Sequence, residues 1–220
     1  MSQHLQQDLD FLKKEIINIA LMAEQATNKA ILALVEQRTE LAEEVLNEDD
    51  LIDRKEVQIE QECLDVLALH QPVAADLRFI ITVIKVNNDI ERIGDLAVNI
   101  AERAVSLSHH EHLPVFMDFP GMWDMVLDML HHSLDSLATN NASLAREVLA
   151  MDDQVDDANR EMLFKLQKLM QQDPENVERA VHLLSVSRNL ERIGDLAANI
   201  AQDVVYMTQG KIIRHSSDGF

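Results

Sequence analysis

Among the acidic side chains spaced four residues apart in this chain, four pairs stand at equivalent places of two halves: Asp49 and Asp53, Glu91 and Asp95, Asp152 and Asp156, Glu191 and Asp195. On a helix, positions i and i+4 are neighbours on one face, so each pair sets two carboxylates in line along a single turn. Like charges so placed repel by about 0.2–0.5 kcal/mol per pair in an exposed helix, and a cation bound between them offsets that cost. Asn99 and Asn199 extend two of the stripes by a further turn, with Arg92 and Arg192 beside them. The donors are all oxygen, which suits hard or borderline ions such as Mg²⁺, Ca²⁺, Mn²⁺ or iron. The single cysteine, Cys63, excludes a thiolate zinc site and an intrachain disulfide, and points to a reducing compartment.

Acidic i,i+4 pairs are ordinarily the solvated face of an amphipathic helix. Repetition sets these apart. ERIGDLAVNI, Glu91 to Ile100, returns as ERIGDLAANI, Glu191 to Ile200, so two copies of one unit keep the same local chemistry. In helical projection Ile90, Ile93, Gly94, Ala97, Ile100 and Ala101 share one broad apolar face, and Glu91, Asp95 and Asn99 lie on the other side. A glycine inside a helix costs ~1 kcal/mol relative to alanine, so Gly94 and Gly194 predict close approach by another helix. Asp49 and Asp53 share a face with Glu56 and Glu60, where the second half has Asn159 and Leu163. That difference predicts two sites of unequal charge. If the second and third helices of each half run antiparallel, their acid stripes can converge, but sequence alone does not set the axial register.

The elements that must position these groups are long helices. Five glycines and four prolines in 220 residues leave little to interrupt helix formation, and the fold class is all-α. Breakers divide the chain into stretches from about Leu5 to Gln37, Thr39 to Leu69, Pro72 to Ser108, Met122 to Thr139, Ala142 to Gln172 and Pro174 to Gln209. Asp173-Pro174-Glu175 is a helix start, with a capping acid, a proline at the first turn and a glutamate that complements the dipole. The organisation expected is two tandem three-helix bundles related by pseudo-twofold symmetry: residues 1–108 and 122–209, a linker 109–121 and a tail 210–220. With 47% apolar but only 4% aromatic residues, the core should be aliphatic and rich in methionine.

Lys+Arg 19 against Asp+Glu 39 gives a formal charge of −20, which repels nucleic acid and anionic lipid and suits cations or a basic partner surface. No run of 18 apolar residues and no secretory leader is present, so a soluble cytoplasmic protein is expected. Histidines form a rival metal site: His109, His110 and His112 cluster in the linker, whereas the adjacent His131 and His132 diverge on a helix and cannot chelate from one face. The chain holds no Glu-x-x-His of the diiron type, no phosphate-binding P-loop and no Gly-x-Ser-x-Gly elbow. No enzymatic activity is expected.

QPVAADLRFI from Gln71 to Ile80, NNDIERIGDLAVNIAERA from Asn87, NLERIGDLAANI from Asn189 and the ending YMTQGKIIRH from Tyr206 to His215 together resemble the PhoU family of phosphate-transport and phosphate-signalling regulators, over nearly the whole chain. The resemblance implies a negative regulator of phosphate uptake and of the phosphate-starvation response. Such a protein would couple the phosphate ABC transporter, through its ATPase subunit, to a phosphate-sensing histidine kinase at the inner face of the membrane, as a homodimer reaching the membrane only through its partners. It also implies metal, with iron, zinc or other divalent ions at E(D)xxxD motifs, here Glu91 and Asp95, Glu191 and Asp195, with Asp49, Asp53, Asp152 and Asp156 on the middle helices and Asn99 and Asn199 as weaker ligands. The alternative role is a metal-binding accessory of a low-affinity phosphate permease.

Overall fold

The computed structural model describes residues 3–113 and 119–213, and among these it contains seven α-helices and no strand. Helices α1 (Gln3–Val35), α2 (Thr39–His70) and α3 (Ala74–Leu107) form one antiparallel bundle. The second is built from α4 (Phe119–Thr139), α5 (Ala142–Leu149), α6 (Asp152–Gln172) and α7 (Val177–Gln209). The two bundles join chiefly along α3 and α7, with α1 against α4 as a lesser contact. Residues 114–118 of the expected linker and the tail beyond 213, including His215, lie outside the described residues.

Tight left-handed turns reverse the chain within each half. Gln37 (φ 54°) separates α1 from α2, and Asn140 (φ 53°) occupies the same place between α4 and α5. Asparagine tolerates this conformation through its short polar side chain, and Asn141 then caps α5 by accepting from the amides of Ser143 and Leu144.

Several boundaries differ from the sequence expectation. Helix α3 begins at Ala74 rather than Pro72, because Gln71 closes α2 in the left-handed conformation with its amide on the Leu67 carbonyl, and Val73 is extended. Helix α4 begins at Phe119 rather than Met122: a proline in the first turn lacks only an amide that has no helical partner there, and the fully buried Phe119 ring anchors the start. The stretch 142–172 breaks at Ala150 and Met151, where Ala150 N–H is shared between the carbonyls of Arg146 and Glu147 and Met151 N–H donates to the Val148 carbonyl. Asp152 and Asp153 thereby fall in the first turn of α6, where acids complement the helix dipole. At Asp173, Oδ1 accepts from the Glu175 amide as expected, but Pro174–Asn176 forms a 3₁₀ turn before α7 proper.

The core is aliphatic, led by fully buried Leu12, Ile16, Ile19, Ile80, Ile90, Ile93 and Ile100, with Met122 and Met129 in the second half. Cys63 is buried there too, and burial pushes its thiol up to about 12, so it packs as a small apolar group. Between the bundles, Lys85 of α3 meets Asp203 of α7 at 3.3 Å and lies over the Tyr206 ring, with Asp203 only 2% exposed. Burying that carboxylate beside its partner makes removal of either costly.

The two helix glycines are packed as expected, though not equally. A Cβ on Gly94 would lie 3.2 Å from Cδ1 of Ile52, tighter than ordinary packing, whereas on Gly194 it would meet Val155 Cγ1 at an ordinary 3.4 Å. Alanine adds ~1 kcal/mol of helix propensity at either place. Gly194→Ala should therefore raise the urea unfolding free energy by about 0.5–1 kcal/mol, and Gly94→Ala should gain less or lose. Equal gains at both positions would show that Ile52 does not press on α3.

Candidate metal centre

Gly94 and Gly194 set the depth at which the acid-bearing helices approach. Ile52 of α2 rests on Gly94 and Val155 of α6 rests on Gly194; each is followed in sequence by the second acid of its pair, Asp53 or Asp156. The stripes on α2 and α3 therefore face one another, as do those on α6 and α7. In the second half one carboxylate oxygen from each of Asp156, Glu191 and Asp195 lies within 4.8 Å of the others. Metal–oxygen bonds of about 2.0–2.6 Å allow two ligand oxygens of one ion to be separated by that much, so the donor set fits a cation. Asp152 is not one of these three but is coupled to them: burial raises its pKa first, followed by the charges of Asp195, Asp156 and Asp153.

The first half is coupled through electrostatics across the helix pair, but among the described residues its acids are not spaced for a metal as Asp156, Glu191 and Asp195 are. Burial raises Glu91 above the usual carboxylate range, helped by Asp95, Asp53 and Glu56 and opposed by Arg92. Asp49 is raised by burial, then by Asp53, Asp95 and Asp50. Burial also raises Glu56, with Glu60 and Asp53 adding to it. At the place of Glu56 the second half has Asn159, which turns inward to accept from Ser187 Oγ at 2.7 Å. The first cluster thus carries a carboxylate that the second lacks, as the sequence comparison of the halves anticipated.

Asn99 and Asn199 sit elsewhere. Asn99 Nδ2 donates to the main-chain carbonyl of Asp95, one turn back on its own helix. Both asparagines line a groove of about 590 Å³ between α3 and α7, with Arg92, Asp95, Arg192 and Asp195 around a floor of Leu96 and Leu196. Asp95 and Asp195 therefore border both their own carboxylate cluster and this shared groove. Sequence projection assigned the leucines and arginines no role, because the pairing of α3 with α7 is a tertiary contact. Among the histidines, His109, His110 and His112 are exposed, while His131 Nδ1 pairs with Glu24 across α1 and α4 at 2.9 Å, an interaction that raises its pKa. Among the described residues, the group spaced for a metal contains carboxylates and no histidine.

The PhoU domain model matches residues 16–104 and 119–204, one copy over each bundle. The chain belongs to the PhoU domain family. It is 39% identical over 208 residues to the phosphate-specific transport system accessory protein PhoU homolog of Aquifex aeolicus, covering 94% of each. The crystal structure of PhoU from Pseudomonas aeruginosa superposes with a TM-score of 0.91 at 34% identity, over 94% of this chain and 99% of that one. That of the phosphate transport system regulatory protein PhoU from Streptococcus pneumoniae gives 0.88 at 28%, over 95% and 99%. The two-bundle architecture is thus that of the family.

Carboxylates whose pKa is raised by folding bind protons more tightly in the folded chain than in the unfolded one. Metal-free protein should therefore gain stability from Asp49, Glu91, Asp152, Glu191 and Asp195 as pH falls from above their raised values toward the ordinary 3.8 of aspartate and 4.5 of glutamate. Asp156→Asn removes a charge that bears on Asp152, Glu191 and Asp195. It should stabilise the metal-free protein near neutral pH by about 0.5 kcal/mol, the scale of one like-charge pair, and flatten the acid gain. Urea titrations with chelator at about pH 5 and about pH 7.5 measure both quantities; an unchanged pH profile in Asp156→Asn would mean the cluster is not coupled.

Proposed function

We propose that this protein is a regulator of phosphate transport, acting as a cytoplasmic negative regulator of phosphate uptake and of the phosphate-starvation response. In this reading it links the ATPase subunit of a phosphate ABC transporter to a phosphate-sensing histidine kinase, works as a homodimer and performs no catalysis. Support for the phosphate role comes from the relatives, which carry the name of accessory or regulatory proteins of phosphate-specific transport. That wording favours the transport-system role over that of an accessory to a low-affinity permease.

The observation that carries the site is the convergence of Asp156, Glu191 and Asp195 within 4.8 Å; Asp49, Asp53, Glu91 and Asp95 stand at the equivalent places of the first half. We assign both clusters to divalent or iron-type ions. A bound ion supplies a fixed positive charge, lowers the proton affinity of its carboxylates and holds α2 to α3, or α6 to α7, at set depth. The extra carboxylate of Glu56 gives the first cluster the stronger hold on a hard cation. The net charge of −20 keeps the remaining surface suited to basic partner patches.

Elemental analysis of untagged protein should find metal that disappears when Glu91, Asp95, Glu191 and Asp195 are changed to alanine, while the helical circular dichroism persists. Mn²⁺ titration of the half-site variants should show weaker binding for the protein retaining only the second cluster, by about tenfold for one lost carboxylate contact; metal-free wild-type protein would exclude the assignment. For the regulatory role, deletion of the gene should raise expression of phosphate-uptake genes in phosphate-rich medium, and pull-down should recover the transporter ATPase subunit and the kinase. Unchanged expression would reject it.

A further inference from the structure

A space in the first half is entered by a side chain in the second. At the junction of α1, α2 and α3 lies a cleft of about 220 Å³ walled by Met22, Ala26, Val45, Ile52 and Val98, with Gly94 at its floor. The matching left-handed turns at Gln37 and Asn140, and the matching contacts of Ile52 and Val155 on the two glycines, put Ala26 level with Met129. In the second half the Met129 thioether enters this space, with Sδ and Cε 3.8 and 3.9 Å from where a Gly194 Cβ would stand. In the first half the three atoms nearest the same point all belong to α2. Leaving the cleft open forgoes the dispersion contacts that Met129 supplies in the other copy.

The rim of the cleft also differs between the halves. Glu48 and Asp49 stand there, where the second half has Met151 in place of Glu48. Lys29 already holds Glu48 at 2.8 Å. Asp49 is half-buried, with Oδ1 3.8 Å from the Gly94 Cβ position, and no cation among the described residues is paired with it. An apolar space bounded by an unpaired carboxylate, in a field made more negative by Asp50, Asp53 and Asp95, recognises an ammonium on an apolar body and repels carboxylates. A dry apolar cavity of about 150 Å³ holds one benzene ring, so this volume takes a ring with a short link to the charge.

We propose that the first half carries a binding site for a small amphiphilic cation, its apolar part between Ala26 and Gly94 and its ammonium on Asp49. The second half has closed the same site with Met129.

The test uses metal-free full-length protein, because the ammonium and a metal ion on the first carboxylate cluster would compete for Asp49, and benzylammonium as probe in ligand-observed NMR and calorimetry. Benzylammonium should bind wild-type protein about tenfold more tightly than neutral benzyl alcohol, the scale of one charge-assisted hydrogen bond, and phenylacetate should not bind. Ala26→Met, which copies the second half, should abolish binding of both ligands. Asp49→Asn should reduce benzylammonium to the level of benzyl alcohol without affecting the alcohol. The double variant Met129→Ala, Met151→Glu should open a second site and raise the stoichiometry from one to two. Absence of benzylammonium binding to wild type, equal binding of phenylacetate, or unchanged affinity in folded Ala26→Met would each overturn the proposal.

Discussion

Burial of α3 and α7 on two sides is the constraint from which the rest of the molecule follows. Each packs its isoleucine face into its own bundle and also packs against the other, with Leu96 and Leu196 flooring the groove between them. A helix covered in this way has only a narrow strip left for charge. Glu91 and Asp95 on α3, and Glu191 and Asp195 on α7, occupy that strip, and it is flanked by the neighbouring acid-bearing helix. Confinement, more than acidity, distinguishes these carboxylates from the many solvated ones on a chain of charge −20.

Confinement has an energetic signature. Partial burial is the largest cause of the raised proton affinity at Asp49, Glu91, Asp152, Glu191 and Asp195, and repulsion across the helix pair adds to it. Carboxylates so placed favour either a proton or a cation. The glycines belong to the same device, since their missing side chains let Ile52 and Val155 come down onto α3 and α7 and bring the opposing acids close. Packing and chemistry, which lie on opposite faces in projection, are thus coupled through helix separation.

Duplication did not leave two identical units. The fifth stretch is broken where α2 is continuous, which puts Asp152 at a helix start while Asp49 lies within a long helix. Glu56 faces the first cluster, but Asn159 turns inward to Ser187. Ala26 leaves open what Met129 fills. The Lys85–Asp203 pair across the seam has no counterpart either, because the equivalent residues are Ser185 and Arg103. The inter-half contact is therefore keyed in one register.

Fold class, the apolar faces and the paired acids were legible in the sequence because they depend on local propensity and on 3.6-residue periodicity, which any stretch of helix expresses by itself. Capping at Asp173 was legible for the same reason. The starts of α3 and α4 were misplaced by two or three residues, since the extended Val73 and the buried Phe119 answer to neighbours outside the local window. Axial register between α2 and α3, and between α6 and α7, was not legible: it is set by which side chain rests on Gly94 or Gly194, a contact between distant segments. The same holds for the α3–α7 seam, which places Asn99 and Asn199 in a shared groove. Sequence by itself determined which residues carry charge and on which helix face. Only tertiary packing decided which of those faces meet, because helix separation and register depend on side-chain volumes contributed from far along the chain.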